Sequence, residues 1–208
     1  MNYPRVYGDR RSGNCYKPAL LLTLLGKQFD WVEMDVMTGA TRRDDFLSKN
    51  PNGRVPLLQI PDGRYLAESN AILLHLAEGS SFLPADSFQR ALVYQWLFFE
   101  QYNHEPYIAV ARFIILYAGR EKEEAERLVE LRKKGCEALQ IMENQLGLTS
   151  FMAGDTFTIA DIALYAYTHV ASDGGFDLEP YRNIGRWLRQ VESVPGFIPM
   201  GRLPTSPG

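Results

Sequence analysis

The fold is decided at the start of the chain, where residues 5–36 read RVYGDRRSGNCYKPALLLTLLGKQFDWVEMDV. The short run Arg5–Gly8 is rich in β-forming residues, and Pro18–Gly26 is an apolar stretch whose final glycine suits the end of a helix. Phe29–Val36 alternates between apolar and polar residues with a period of two, as strands do. Because a crossover helix requires the strands that it connects to be parallel, the sequence predicts an opening βαβ unit.

The residues that follow predict a β-hairpin and a helix. Val55–Ile60 and Tyr65–Glu68 flank the turn Pro61–Arg64, which is a strong signal for antiparallel strands. Ser69–Ala77 starts with a residue suited to cap a helix and then has apolar residues at helical spacing. A βαβ unit followed by a ββα unit predicts an α/β, thioredoxin-like domain over residues 1–79.

The second half of the chain is predicted to be all-α. Apolar residues recur there at spacings of three and four, with charged residues on the other faces. We expect helices over about 88–118 and 121–146, a helix that begins at Ile159 behind the capping box Thr158–Asp161, and a last helix over about 180–194. Residues 80–87 are expected to link the domains, and residues 88–208 to form a helical bundle that ends in an irregular, proline-rich tail.

The composition excludes several classes of protein. The 22 Lys and Arg residues against 25 Asp and Glu residues give a net charge of -3, which offers no basic surface for nucleic acid. No apolar stretch approaches the roughly 20 residues that cross a bilayer, and the N-terminus lacks the apolar run of an export signal. Cys15 and Cys136 have no partner at metal-ligand spacing. We therefore expect a cytoplasmic protein with no metal, no membrane contact and no nucleic-acid partner.

The loop Ser12–Lys17 is a candidate site, because it leaves the first strand and enters the first helix. Unpaired N–H groups and the positive end of a helix favour an anion. A hydrogen bond from the Ser12 hydroxyl would lower the pKa of a bound thiol from roughly 8.5–9 toward neutrality, although Ser12 and Asn14 also suit simple turn and cap roles. Cys15 is either a nucleophile at the same helix end or a small core residue.

Two further pairs of residues could bind a peptide. Pro56 opens an otherwise inner strand, where a cis bond would turn the Val55 backbone toward an extended ligand; the alternative is a trans proline at the first residue of a strand. Glu68 and Ser69 lie at a strand-to-helix junction, so the hydroxyl and the helix amides could hold a carboxylate while Glu68 holds an ammonium. The alternative for this pair is a capping serine beside a solvated glutamate.

Taken in order, these features resemble the cytosolic glutathione S-transferase family, and the resemblance covers nearly the whole chain. The features are the Ser-x-x-Cys pattern of Ser12–Cys15, the sequence NPNGRVP at residues 50–56, the pair Glu68–Ser69 and the capping box Thr158–Asp161. Tyr7 on the first strand invites comparison with tyrosine-type members, but the pattern at Ser12 is similar to that of the serine-type, bacterial members.

The resemblance implies that glutathione is the co-substrate and that Ser12 activates its thiol for attack on a hydrophobic electrophile. Val55, ahead of a cis proline, would pair with the cysteinyl backbone of glutathione, and Glu68 with Ser69 would hold its γ-glutamyl end. Two arginines are further candidates, near the glycyl carboxylate and in the variable loop. The expected glutathione-binding residues are thus Val55, Pro56, Glu68, Ser69, Arg54 and Arg42.

The resemblance also implies a second-substrate pocket and a homodimer. Pro106 inside a predicted helix would bend it and open a pocket against the first domain, lined by Tyr107 and Phe113. The dimer would bring the region Ser69–Leu76 against the long helices of the partner. Two alternative functions stay open: a glutathione-dependent thiol-disulfide oxidoreductase that uses Cys15, and a non-catalytic glutathione-transferase-like binding protein.

Overall fold

The chain forms two compact units. The computed structural model describes residues 2–203. The first unit contains the residues up to Glu78 together with those from Val194 onward, and the second unit is Gly79–Ser193. The division after Glu78 lies next to the end that the sequence predicts for the first domain.

The first unit is built on a mixed sheet of four strands. The strands are β1 (Arg5–Gly8), β2 (Asp30–Glu33), β3 (Leu57–Gln59) and β4 (Tyr65–Ala67). Their spatial order is β2-β1-β3-β4, with β1 parallel to β2 and antiparallel to β3, and β3 antiparallel to β4. The opening parallel pair and the following hairpin confirm the predicted thioredoxin-like arrangement.

The α-helices that accompany the sheet are α1 (Gly13–Leu24), α2 (Asp44–Leu47) and α3 (Ser69–Ala77). Short 3₁₀ turns over Val36–Thr38 and Ala40–Arg42 precede α2. Most of α1 is buried, which explains why its sequence is apolar on all sides rather than on one face. The helix continues through Pro18, whose missing N–H removes the bond that would otherwise reach the Asn14 carbonyl.

The last described residues are largely irregular, as expected for the tail, but they belong to the first unit and not to the helical one. The Tyr16 hydroxyl donates a hydrogen bond to the Ile198 carbonyl over 2.6 Å, and the side chains of Met200 and Leu203 are buried. A short 3₁₀ helix covers Met200–Arg202. Apolar side chains between the prolines thus give this segment a packed position, while the predicted tail residues 204–208 lie outside the described residues.

The second unit is helical, as predicted. Its α-helices are α4 (Ser87–Phe99), α5 (Glu105–Arg112), α6 (Ala125–Leu146), α7 (Ile159–Thr168) and α8 (Arg182–Glu192), with a 3₁₀ turn over Ala171–Gly174. The helix expected over 121–146 begins later, at Ala125, and residues 121–124 form turns.

The predicted long helix around Pro106 is interrupted by two wider, π-helical segments. These segments are Glu100–His104, between α4 and α5, and Phe113–Tyr117, after α5. Pro106 stands at the start of α5, directly after the first π-helical segment. A proline cannot donate to the carbonyl four residues earlier and its ring crowds that carbonyl, so a local widening of the helix accommodates it.

A buried carboxylate fixes the start of α7. Asp161 is fully buried, and its Oδ1 accepts hydrogen bonds from the Met152 amide and the Trp187 indole, each over 2.9 Å. Its Oδ2 accepts from the Thr158 amide over 2.9 Å and from the Thr158 hydroxyl over 3.3 Å. Burial raises the pKa of Asp161 to about 6, against the effect of these hydrogen bonds. Because all four groups donate, the geometry suits the ionised carboxylate and confirms the predicted capping box.

We predict that Asp161→Asn destabilises the protein. The amide NH₂ cannot accept hydrogen bonds, so it leaves buried donors unpaired at a cost of about 2 kcal/mol. For a chain of this length, the melting temperature should fall by about 4–8 °C. Trp187→Phe, which removes one donor and keeps an aromatic ring, is the control and should have the smaller effect. Equal melting temperatures for wild type and Asp161→Asn, measured by circular dichroism at pH 7.5, would contradict this role.

Candidate functional site

Ser12 occupies the capping position of α1. Its backbone is extended (φ -86°, ψ 122°), and its Oγ accepts a hydrogen bond from the Cys15 amide over 3.4 Å. A hydroxyl has one proton and two lone pairs, so it can still donate; within the protein its partner is the Cys15 thiol, and a bound thiolate would have to compete for this proton. The hydroxyl is half-buried, beside amides of the first helical turn that favour an anion.

The turn that carries Ser12 is organised by Asp9, a residue that the sequence analysis missed. Asp9 is buried, and its carboxylate accepts hydrogen bonds from the Arg11 amide (2.9 Å), from Arg11 Nε (3.0 Å) and Nη2 (2.8 Å), and from the Val36 amide (3.4 Å). The Asp9 carbonyl accepts from the Ser12 amide over 3.0 Å. Burial works to raise the pKa of Asp9, but the bonds from Arg11 outweigh it and hold this pKa below its ordinary value. The signal in the sequence was an acidic residue, Asp9, directly after the first strand and directly before two arginines.

Cys15 is a core residue rather than a poised nucleophile. Its side chain is fully buried, and a Cβ placed on Gly8 would lie only 2.8 Å from Cys15 Cβ and 2.8 Å from Trp31 Cη2. Glycine at position 8 therefore allows α1 to pack closely on β1. Burial raises the pKa of the Cys15 thiol to about 12, and the hydrogen bond with Ser12 offsets this only in part. The thiol stays protonated at neutral pH and is out of reach of solvent.

Tyr7 lies on the other face of the sheet. Successive strand residues point to opposite faces, so Tyr7 faces away from α1, against which Gly8 packs. Its ring contacts Phe46 and Tyr65, each with a centroid distance of 6.4 Å, and its hydroxyl donates to Gln59 Oε1 over 3.2 Å. Burial, followed by the neighbouring Tyr65, raises the pKa of Tyr7. Tyr7 therefore does not serve the first turn of α1.

The peptide bond between Val55 and Pro56 is cis, the first of the two forms that the sequence left open. Asn50 holds the loop before it, since Asn50 Nδ2 donates to the Arg54 carbonyl over 2.8 Å and Asn50 Oδ1 accepts from the Asn52 amide over 3.2 Å. Val55 is half-buried and Pro56 is buried at the start of β3. The buried amide of Asn50 therefore fixes the shape of the loop that presents the Val55 backbone.

Both candidate arginines lie at or near this loop, and both are exposed. Arg42 Nη1 donates to the Asn52 carbonyl over 3.2 Å, which brings Arg42 against the segment that contains Arg54. A Cβ on Gly53 would lie 2.7 Å from Arg42 Nη1, and the φ of Gly53 is 62°, so the approach requires glycine. Arg42 is thus anchored on the loop that contains Arg54.

Glu68 has a strained backbone directly before α3. Its φ is 68° and its ψ is 115°, and within residues 2–203 it is the one non-glycine residue with a positive φ. Such conformations cost of order 1–3 kcal/mol and cluster at functional sites. The strain therefore marks this junction as a candidate binding site, with the Glu68 side chain exposed to solvent.

Ser69 is the first residue of α3 rather than its cap, because Glu68 occupies the capping position. The Ser69 side chain is buried, and its hydroxyl donates to Asn14 Oδ1 over 3.2 Å. Asn14 lies in the first turn of α1. The two helix starts that the sequence singled out separately are therefore in direct contact.

Lys17 is the last residue of the candidate segment Ser12–Lys17, and the sequence suggested no role for it. Its side chain is fully buried one turn after Asn14, and Nζ donates to Ser69 Oγ over 3.3 Å and to Asn70 Oδ1 over 3.4 Å. Residues three apart share one face of a helix, so Asn14 and Lys17 both reach the start of α3. The signal in the sequence was a lysine inside an otherwise apolar helix.

Tyr107 and Phe113 differ in their surroundings within the second unit. Tyr107 is half-buried and lines a cavity of about 120 Å³ together with Asn103, Lys134, Glu137, Ala138 and Ile141. Phe113 is 41% exposed and stacks on Tyr117 with a centroid distance of 5.2 Å, and the cavity lining does not include it. A shared role of these two side chains stays a prediction.

Residues 2–203 include no helix that is both long and apolar enough to span a membrane. Over the same residues, no group of three or more His, Cys, Asp or Glu side chains is placed to hold a metal ion.

An N-terminal thioredoxin-like unit followed by a helical unit is the domain order of the glutathione S-transferase fold. The family model of the glutathione S-transferase N-terminal domain matches residues 4–78, and that of the C-terminal domain matches residues 96–195. Glutathione S-transferase 2 of Anopheles gambiae is 34% identical over 169 residues, which cover 78% of each chain. The chain belongs to the glutathione S-transferase family.

Solved structures agree with this assignment. The crystal structure of a glutathione S-transferase from Pseudomonas fluorescens Pf-5 matches with a TM-score of 0.94 and 54% sequence identity, over 96% of this chain and 99% of that chain. A second family member from the same organism, described with two glutathione molecules bound, matches with a TM-score of 0.84 and 25% identity, over 97% of this chain and 93% of that chain.

We predict that one thiol of the native protein reacts readily with Ellman's reagent at pH 8. Cys136 is exposed and should react, whereas Cys15 is buried with a pKa of about 12 and should react only after unfolding. The thiolate released is measured by absorbance, first in buffer and then in guanidinium chloride. Cys136→Ser should abolish the fast reaction, and Cys15→Ala should leave it intact. A second fast thiol in the native protein would contradict the core assignment of Cys15.

Proposed function

We propose that the protein is a glutathione transferase that binds the glutathione thiolate at the start of α1 and directs it onto a hydrophobic electrophile. The Ser12 hydroxyl donates a hydrogen bond to the sulfur anion. The sulfur forms a bond to carbon and either displaces an anionic leaving group, which departs into solvent, or adds to an activated double bond, whose carbanion then takes a proton from water. The observation that carries the proposal is the contact of Ser69 with Asn14, because it joins two anion-favouring helix starts.

The proposed binding mode uses residues at the start of α3 and in the loop before β3. Glu68 neutralises the ammonium of the γ-glutamyl group, while Ser69 and the first amides of α3 hold its carboxylate. The Val55 backbone pairs with the cysteinyl residue ahead of the cis bond to Pro56. The strained backbone of Glu68 supports this assignment, since strain at a helix start is retained where a ligand needs a fixed geometry.

The glycyl carboxylate of glutathione is assigned to the two arginines. Arg42 contacts the Asn52 carbonyl, and the Arg54 carbonyl is held by Asn50. Both guanidinium groups are exposed near the segment that ends at Val55, so each can meet a carboxylate at the rim of the site. We expect each to contribute less than the γ-glutamyl residues, because exposed ion pairs are screened by solvent.

The catalytic gain that Ser12 has to supply is modest. Lowering the thiol pKa from about 9 to about 7 raises the thiolate fraction at neutral pH from roughly 1% to roughly half. This shift corresponds to about 2.7 kcal/mol in favour of the anion. One hydrogen bond to a charged sulfur contributes about 1.5–3 kcal/mol, so Ser12 together with the helix amides suffices.

The alternative that uses Cys15 for disulfide exchange is less well supported. Exchange requires an accessible thiolate, whereas Cys15 is buried and its pKa is raised to about 12. A non-catalytic binding protein would retain glutathione binding without turnover. A conjugation assay with an aromatic chloride, such as 1-chloro-2,4-dinitrobenzene, tests for turnover and so distinguishes it from the transferase. The cytoplasmic location stays a prediction.

We predict that Ser12→Ala raises the pKa of the bound glutathione thiol by about 1–2 pH units, since it removes a hydrogen bond to the anion. The measurement is a titration of the thiolate absorbance near 240 nm in the binary complex. Ser12→Thr, which keeps the hydroxyl, is the matched control and should titrate close to the wild type. A titration curve unchanged by Ser12→Ala would remove Ser12 from the mechanism.

We also propose that the protein acts as a homodimer. Three aromatic side chains are exposed along α4 and the π-helical segment that follows it: Phe88 (68% exposed), Phe98 (72%) and Tyr102 (79%). Clusters of exposed aromatic side chains are typical of protein interfaces. Their number on one helical path supports self-association through this surface.

We predict that Phe98→Asp weakens the dimer at least tenfold, because it places a charge in an apolar interface. Sedimentation velocity over a range of protein concentrations measures the dissociation. Val129→Asp on α6, where the side chain is 67% exposed, is the matched control and should leave the association unchanged. A wild-type chain that sediments as a monomer at all concentrations would overturn the dimer proposal.

A further inference from the structure

We propose that Lys17 is a positioning residue that holds the Ser69 hydroxyl for the γ-glutamyl carboxylate of glutathione. This inference rests on the proposed function and specifies how its carboxylate end is recognised.

The first argument is burial. Lys17 is fully buried within α1, although lysine is among the residues least often found in protein interiors. Burying an ammonium group is costly unless hydrogen bonds and charges surround it. Its Nζ reaches two polar groups of the first turn of α3, Ser69 Oγ at 3.3 Å and Asn70 Oδ1 at 3.4 Å. The charge is therefore directed at the start of α3.

The second argument is the direction of the hydrogen bonds at Ser69. Its oxygen accepts from Lys17 Nζ, so its proton points to another acceptor, which is Asn14 Oδ1 at 3.2 Å. The ammonium thus removes one orientation of the hydroxyl and leaves Ser69 as a donor. A carboxylate is a better acceptor than an amide oxygen, because hydrogen bonds to charged groups are stronger.

The third argument is electrostatic. A carboxylate that accepts from Ser69 lies within a few ångströms of the Lys17 ammonium, with Ser69 between them. In a partly buried site, a positive charge at this distance attracts the anion more strongly than it would in water. The proton of Ser69 would turn from Asn14 to the ligand as the carboxylate binds. Binding of the γ-glutamyl carboxylate would therefore remove the hydrogen bond that Asn14 accepts in the first turn of α1, beside Ser12.

The test compares two ligands in three proteins. The ligands are glutathione and an analogue whose γ-glutamyl α-carboxylate is converted to an amide. The proteins are the wild type, Lys17→Met and the matched control Lys27→Met, which changes an exposed lysine beyond the end of α1. Calorimetry gives the dissociation constant of each complex, and circular dichroism verifies that each variant is folded.

We expect Lys17→Met to weaken glutathione binding about tenfold and to leave binding of the amide analogue nearly unchanged. The dissociation constant of the amide analogue divided by that of glutathione then falls in Lys17→Met. In Lys27→Met this ratio stays at the wild-type value. A purely structural role of Lys17 would weaken both ligands by the same factor. An unchanged ratio in Lys17→Met would therefore overturn the inference.

A second variant keeps the test possible if the first one does not fold. If Lys17→Met does not fold, Lys17→Gln keeps a hydrogen-bond donor without the charge, and the same fall in the ratio is expected. Combining the folded variant with Ser69→Ala should add little further loss of glutathione affinity, since both changes remove one interaction; additive losses would overturn the inference. If the wild type binds no glutathione, both the proposed function and this inference fail. If the wild type binds glutathione and the ratio is unchanged in Lys17→Met, only the inference fails.

Discussion

The hydrogen bond from the Ser69 hydroxyl to Asn14 joins the first turn of α3 to the first turn of α1. A helix start presents unpaired N–H groups and the positive end of the helix dipole, so two such starts in contact make one region that favours two negative charges. Glutathione carries both, a thiol that can ionise and a γ-glutamyl carboxylate. Ser12 and Glu68 stand directly before these two helices.

Two buried carboxylates support the architecture by accepting backbone hydrogen bonds. Asp9 accepts from the amides of Arg11 and Val36 and so shapes the turn that ends at Ser12. Asp161 accepts from the Met152 and Thr158 amides and so fixes the start of α7 in the second unit. In each case a charge that would be costly to bury alone is stabilised by several donors.

Burial separates the roles of two residues at the same helix start. Ser12 caps α1 and is half-buried, whereas Cys15, one turn later, packs beside Gly8 and is fully buried. The thiol has the more reactive chemistry in water, yet desolvation disfavours its anion in the core. Of the two side chains, the hydroxyl of Ser12 is therefore the one that solvent can reach.

The strand–helix–strand opening, the hairpin and the capping box at Thr158 could be predicted from the amino-acid sequence. Each of these depends on residues that are close in the chain: a periodicity, a turn such as Pro61–Arg64, or a side chain that caps its own helix. Ser12, Val55 and Glu68 could be selected for the same reason, since each marks the edge of a strand or helix.

Which of these residues meet and which face the core depends on long-range packing. Lys17 approaches Ser69 across 52 positions of sequence, Tyr7 is turned away from α1 by the pleat of β1, and Met200 returns to pack in the first unit. Burial and long-range contacts come from the packing of elements that are far apart in the chain. No local pattern encodes them, and for that reason the burial of Cys15 and the surroundings of Ser69 became visible only in the folded molecule.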